Sequence, residues 1–575
     1  MKIPKNAEDR EQFYMNLILT CFKSQQSRIP LYQELRNYYL FGTSDGSLAP
    51  FNKLQPTVQL LKSFIYSAET TKFNLQLGNM VPQEELKKVK VLNDEINEAW
   101  HDSNIDIQMG ECVEWSYVFG SMIVKMNYDK ETKMYIVDPG NFGVLNEQEP
   151  DMSRQEAVCQ MYSISKSELE RIVSSHPNKK YILDSVIAGT QNTRSGEIPD
   201  SLKRLVITSS GSTISGSVDG GIPSQGTSFD YNPVPMEDSV SMYELYVFND
   251  EINDYQIVTI ADPGVIIYDR SNFLVPGYLP FVKICPEPLP FYFWGQSFTA
   301  KLTPIQDWYT SRIIQMKELL DKQVNPPVAY TTMNGLADDK YAALRIAGGY
   351  ADLGAGGSAK SMAPDVPSSL FQELGELNQW FAEMSGVNHL MQGQGEAGVR
   401  SQSQTNSLVR LSSARPRQAA LVIEDALEQV AGLILRMKSI FSSKIFSTSE
   451  SLSDGSPLTF SIGQFTKDFI VKVDSHSSSP IFVEDKKTDA QILFKAQCID
   501  RIDFLRMYDP PGVQDLEFKL RTRMEEEKKQ QEMQRQIEQQ KMAQAAGRPP
   551  APGDQKGPND VRNERSISST GGVKK

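Results

Sequence analysis

Between Phe291 and Phe441 the chain carries three apolar seams of helical period, separated by two segments that cannot continue them. The first seam is Leu302, Ile305, Tyr309, Ile313, Met316 and Leu320. Its three- and four-residue steps place these side chains along one face of a helix. The second is Leu370, Leu374, Leu377, Phe381 and Met384; the third is Ala420, Ile423, Leu427, Val430, Ile434, Met437 and Phe441. Alternating steps of this kind make narrow seams. Between the first two stand PPVAY and the glycine-rich GGYADLGAGGSAK, and between the last two a polar loop. Helix, small domain, helix, polar loop, helix is a poor layout for an enzyme core and suits a subunit of a ring with a channel. Narrow seams bury too little alone, so neighbouring subunits are expected to complete the pair of helices that carries the first two.

Two prolines mark bends. Thr303-Pro304-Ile305-Gln306 reads as a capping box with proline at the first helical position. This predicts that the regular helix starts at Pro304. Pro416 stands just ahead of the third seam, so a helix arriving from Leu408 kinks or restarts there.

At 575 residues the chain needs two or more modules. Its net charge of −13 argues against a protein that coats DNA with a basic surface. A wall past which DNA slides remains compatible with it. The N-terminus lacks the apolar core of a signal peptide, and no run approaches the ~20 apolar residues of a membrane span. No membrane association is expected. The five cysteines are widely spaced and read as reduced, buried thiols, fitting synthesis in a cytoplasm.

The remainder reads as an α+β body. Helices are expected over 6–40 and 84–100, 57–77 reads as an apolar helix leading into a strand (FNLQL), and a further helix breaks at Gly120 into a strand. Ser165, with Glu168 three residues on, predicts a helix start. Residues 209–235 read as a mobile loop; MYELYVFND, YQIVTIA and GVIIYD read as strands, and FIVKVDSHSS as a later one. After Asp485 short helices resume, 517–544 reads as a solvated helix, and 546–575 as disordered.

Catalytic motifs fail on context. Gly393–Gly398 matches G-x-G-x-x-G but follows a helix instead of a strand. Gly42–Gly46 matches G-x-S-x-G but lacks the buried strand before it and the helix after it. No phosphate-binding G-x-x-x-x-G-K-[ST] occurs, and His101, His176, His389 and His476 have no metal-site spacing. No catalytic residue, cofactor or metal is assigned, and the chain reads as a non-enzyme. The loop 388–417 is more unusual: Gln392, Gln394, Gln402 and Gln404 stand among Arg400, Arg410, Arg415 and Arg417, with few acids. It is either an exposed surface loop or one offered to a polyanion, touching phosphate without reading bases.

Here the chain resembles the portal proteins of tailed bacteriophages. PFYFWGQSFTAKLTPIQDWYTSRI resembles the family's turn into its first stem helix. GVRSQSQTNSLVRLSSARPRQAALVIEDALEQVAGLILRM resembles its channel loop and long kinked helix, and DAQILFKAQCIDRIDFLRMYDPPG its closing helices. The likeness covers roughly 280–515; residues 1–280 match in layout alone. It implies an α/β wing (1–290 and 443–480), stem helices (291–323 and 365–387), a small α/β clip (324–364), a channel loop (388–414), a long kinked helix (415–442), crown helices (481–545) and a tail (546–575). The implied stem packing uses Leu302 to Leu320 of the first seam and Leu370, Leu374, Leu377 and Phe381 of the second. The implied DNA-facing residues are the loop glutamines and arginines above. The resemblance further implies a ring, dodecameric in the family, at one capsid vertex of the virion, assembled in the host cytoplasm. Double-stranded DNA, the large terminase, the major capsid protein, a scaffold and head–tail adaptors are its implied partners. Two features depart from the family: Pro304 falls where the stem helix runs uninterrupted, and the glycine-rich clip could join a neighbour's sheet or form none. Other readings are a ring-forming head–tail adaptor and a soluble enzyme.

Overall fold

Two helices open the chain, α1 (Ala7–Lys23) and α2 (Gln25–Phe41). The computed structural model describes residues 1–68, 71–77, 83–192, 239–262, 264–330, 347–352, 359–361, 365, 367–387, 414–442, 445–451, 457–461, 469–473 and 480–508, with a few isolated positions up to 533. The loop 209–235, most of the channel loop and clip, and the tail lie outside them.

α1 turns Tyr14, Ile18, Cys21 and Phe22 to one buried face. α2 stops at Gly42, whose φ of 81° belongs to the left-handed region. Its N–H returns to the Tyr38 carbonyl at 2.9 Å. α3 (Leu54–Ile65), β1 (Phe73–Leu77), α4 (Gln83–Asp102) and α5 (Ile105–Phe119) follow. The break expected at Gly120 is present, at φ 87°, and the chain enters β2 (Met122–Asp129). β3 (Glu131–Val137), β4 (Phe142–Val144) and β5 (Ala157–Ser165) come next. Ser165 then caps α6 (Lys166–Ile172), its hydroxyl accepting from the Glu168 N–H at 3.2 Å. After α7 (Lys179–Asn192), the three strands expected within 242–269 are β6 (Ser239–Asn249), β7 (Asp254–Ala261) and β8 (Val265–Ser271), followed by β9 (Phe281–Ile284).

α8 (Phe298–Val324) carries the first seam. It starts six residues before the expected Pro304, because Ser297 caps it: the Ser297 hydroxyl accepts from the Ala300 N–H at 3.0 Å. Pro304 therefore lies inside the helix and cannot donate to the Ala300 carbonyl. The Thr303 hydroxyl donates to that carbonyl instead, at 3.1 Å. Three short strands follow: β10 (Val328–Tyr330), β11 (Tyr350–Asp352) and β12 (Ala359–Ser361). β10 is central, parallel to β11 and antiparallel to β12, so the glycine-rich segment contributes to a sheet of its own chain. α9 (Ser368–Ser385) returns with the second seam, and α10 (Ala414–Phe441) carries the third. Pro416 is the third residue of α10, in the first turn, where a missing N–H costs no intrahelical bond. β13 (Ile445–Ser451), β14 (Pro457–Ser461), β15 (Phe469–Val473), α11 (Pro480–Lys495) and α12 (Arg501–Tyr508) complete the described elements.

The two largest antiparallel sheets among the described residues of the unit Met1–Asp485 are β3-β2-β9 and β4-β5-β6-β7-β8. Ile123, Phe142, Tyr246, Phe281 and Phe293 fill the core between them. β1 pairs with β15 in register Phe73↔Val473, which closes the body from both ends of the chain. The largest core joins α2 to α5, the lower end of α8, and α10. The unit Lys486–Lys575 holds most of α11 and α12, where the Phe494 and Phe504 rings lie 4.6 Å apart.

Candidate functional site

The first seam has two fates along one helix. At its base, α8 packs on α2, α3 and α5, and Leu302 is fully buried with Ile305 packed against the same core. Further up, Tyr309, Ile313 and Met316 are half-buried and Leu320 is 37% exposed. Ile314 and the terminal Val324 are also exposed, the latter at 77%. α9, which packs on α8, repeats the pattern: Leu377 and Phe381 are buried, Leu370 and Leu374 half-buried and Phe371 exposed, although Met384, near the root, is exposed as well. The pair is thus a projecting element with a buried root and an apolar, solvent-facing upper part.

The root is a close backbone fit. Gly120 and Gly295 meet so tightly that a Cβ on Gly295 would lie 2.4 Å from the Gly120 carbonyl oxygen and 2.2 Å from Cys285 Sγ. Glycine is required there for close approach. The Ser297 hydroxyl donates to the Val118 carbonyl at 2.6 Å, fixing the helix start to the end of α5. Ahead of it, Trp294 is buried and its indole N–H donates to Glu147 at 3.0 Å. Arg28 grips the same carboxylate with both terminal nitrogens at 2.6 Å, and Ser24 donates to it at 2.6 Å. Burial raises the Glu147 pKa, but the bonds from Arg28 and Ser24, the guanidinium charge and the indole outweigh it and hold the carboxyl below its ordinary value.

One turn up, Gln306 is fully buried and belongs to no cap. Its amide donates to the Phe51 carbonyl at 2.7 Å and to Thr310 at 3.1 Å, and its oxygen accepts from the Lys53 N–H at 3.2 Å. Lys53 in turn reaches between the two helices: its ammonium lies 4.0 Å from the Tyr309 ring centre and 5.6 Å from that of Phe381, and it donates to Asn378. Burial lowers its pKa. The Tyr38 hydroxyl donates to Asp307 at 2.7 Å; burial first, then that carboxylate, push its pKa up to about 12. Above this level the helices hold each other. Arg312 bonds Glu373 at 2.7 Å, Trp308 donates to the same oxygen at 3.1 Å, and the Trp308 and Trp380 rings are 5.5 Å apart.

The third seam is covered by its own chain. Ala420, Ile423, Leu427, Val430, Ile434 and Met437 are all buried within the chain, against α3, α4, β2, β9 and β15. Of the candidate DNA-facing residues, Gln392, Gln394, Arg400, Gln402, Gln404 and Arg410 lie outside the described residues, as does the G-x-G-x-x-G match. Arg415 and Arg417 fall in the first turn of α10.

The remaining motifs are structural. Gly42–Gly46 is a helix cap followed by a polar turn, in which Asp45 accepts from the Ser47 N–H at 3.0 Å. His101 pairs with Asp106, and His176 accepts from the Asn178 N–H. Cys21, Cys112, Cys159 and Cys285 are buried free thiols, whereas Cys498 is an exposed one. An open cleft of about 360 Å³ is lined by Asp138, Asn141, Gln160 and Tyr162 among others. Asp138 is already committed to the Gly140 N–H and to Arg36, each at 2.9 Å, and no converging set of acids and bases surrounds it. Among the described residues no group of three or more His, Cys, Asp or Glu side chains could hold a metal ion, and no helix is long and apolar enough to cross a membrane.

Sequence reasoning missed Lys53 and Glu147, because their partners lie more than a hundred residues away. The turn Trp294-Gly295-Gln296-Ser297 was the signal that pointed towards their neighbourhood. No curated protein matches the chain. The family model described as Phage SU10 portal protein matches residues 68–444, roughly two thirds of the chain, from just before β1 to the end of α10. The chain therefore belongs to the phage SU10 portal protein family, a structural family of the virion.

Proposed function

We propose that this protein is the subunit of a closed ring at one capsid vertex, through whose channel double-stranded DNA is packaged and later released. The observation that carries this reading is the outward run of the α8 seam: Ile313, Met316 and Leu320 continue a buried stripe into solvent. A ring covers such a stripe on every copy with one repeated heterologous contact. In this reading α8 and α9 are the stem, β10–β12 belong to the clip that docks the terminase and later the head–tail adaptors, and α11–α12 begin the crown. The body around α10 is the wing and meets the capsid protein.

The net charge of −13 supports a channel that repels DNA and keeps it central. Gln392, Gln394, Gln402, Gln404, Arg400, Arg410, Arg415 and Arg417 then brush phosphates without base readout. The test is direct. Purified protein imaged by electron microscopy should give rings with a central channel; monomers or dimers at high concentration would overturn the reading. Deleting 392–406 should impair DNA packaging or retention while rings persist. Loss of rings would make that segment an assembly element instead.

A further inference from the structure

We propose that Lys53 is a releasable latch whose charge fastens α9 to the body of the same subunit and so sets the lean of α9 on α8. The two helices of the pair are held unequally. α8 is tied to the body along its lower part. Ser297 and Thr299 donate to the Val118 and Tyr117 carbonyls, Gln306 donates to that of Phe51, and Asp307 accepts from Tyr38. α9 packs on α8, and on no other described helix or strand to a comparable extent. Trp308 and Arg312 bond Glu373 of α9, but both belong to α8. Among the described residues, the side chain of the body that bonds α9 is that of Lys53, through Asn378.

The latch is a cation without an anion. Its base is fixed, because the Lys53 N–H donates to Gln306 at 3.2 Å. Its ammonium lies 4.0 Å from the ring centre of Tyr309 on α8 and 5.6 Å from that of Phe381 on α9. No carboxylate acts on it, and burial alone lowers its pKa. The half-buried charge is therefore a cost to the fold that two ring faces and the Asn378 amide offset. A contact so balanced holds α9 when made and costs the subunit little when released. A buried ion pair, by contrast, strands a charge when it opens.

The helix also has a pivot. α9 ends at Ser385, and Gly386 turns the chain at φ of 70°, a left-handed conformation that glycine adopts freely. Val387, next along, is buried in the largest core and fixes the far side of the pivot. Asn378 and Phe381 lie within about two turns of Gly386, so the latch acts on the short arm of the helix. A small shift there is a larger one at the upper end of α9. The latch lies within one chain, so it stands or falls apart from any ring.

The experiment is amide exchange on the full chain, with wild type and variants compared at the same assembly state, read by mass photometry. Lys53→Met keeps an unbranched apolar stem and removes the charge. It should quicken exchange along α9 by roughly tenfold, as loss of a half-buried cation–ring contact does. Exchange at the base of α8 and along α10 should stay as in wild type, and so should the melting temperature. Lys53→Arg, which keeps a cation over the rings, should restore α9 to within about twofold of wild type. Unchanged exchange along α9 in Lys53→Met overturns the proposal. So does a lower melting temperature with α8 and α10 quickened alongside α9, which would make Lys53 an ordinary part of the core. Loosening by Lys53→Arg equal to that by Lys53→Met would assign the contact to the shape of lysine and remove the role of its charge.

Discussion

α10 and the α8–α9 pair carry seams of the same period, yet one is core and the other is surface. Along α10 each seam residue from Ala420 to Met437 is buried. Lys438 reaches Glu95 of α4 at 2.5 Å, and the Phe441 ring stacks on Tyr128 of β2 at 4.9 Å. The helix is enclosed because β15 pairs with β1, wrapping segments from both ends of the chain around it. Among the described residues nothing closes over the upper part of α8 and α9 in that way. Seam spacing therefore tells that a helix has a face to bury, but the covering elements decide whether the chain itself buries it.

The comparison breaks most sharply at Leu427, which has no exposed surface. Leu427→Ala should cost the subunit about 2–5 kcal/mol in denaturant unfolding, through lost burial and the cavity left behind. A cost below about 1 kcal/mol would mean that α10 is as loosely covered as the pair. Next in size is Gln306→Leu at the root. It strands the Phe51 carbonyl and the Lys53 N–H, and should cost about 1–3 kcal/mol. Amide exchange should quicken at the base of α8 and stay unchanged along α10. Equal loss of protection in both helices would show that they unfold as one element.

Those two sites also mark how far the sequence could be read. Ser165 with Glu168, and the break at Gly120, were legible because cap and break are local events. Thr303-Pro304-Ile305-Gln306 looked equally local and misled. Gln306 is claimed by a loop 255 residues away, while Ser297, bonded to α5, starts the helix earlier. The seams were legible as helices, but which seam the chain covers depends on strand pairing between residues 73–77 and 469–473, and periodicity carries no trace of that.

A smaller effect separates the root from α10 by pH. Glu147 has a pKa below its ordinary 4.5. For a carboxyl lowered on folding, the stabilisation is complete above the unfolded value and is lost as pH falls through the folded one. Acid should thus loosen the Arg28–Glu147–Trp294 anchor below about pH 4.5, before α10, whose seam has no carboxyl. Glu147→Gln should cost about 1 kcal/mol at neutral pH and flatten that acid limb in unfolding measured against pH. An acid limb of unchanged slope in the variant would assign it to another carboxyl.

The smallest expected effect on the subunit tests the comparison from the other side. Leu320 sits in the same seam as Leu302 but is 37% exposed. Leu320→Ser removes an apolar group that the isolated chain buries only in part, so subunit unfolding should shift by less than about 1 kcal/mol. If neighbours cover that position, the dissociation of rings on dilution should shift by about tenfold, because the hydroxyl then replaces a buried side chain at a contact. The two readouts separate because Leu320 lies beyond the last fully buried residue of α8, Thr310 aside. A subunit cost approaching that of Leu427→Ala would place the upper stem in the core and remove the contrast. Equal ring stability would leave the seam bare in the assembly, and the outward stripe would no longer support a ring built on it.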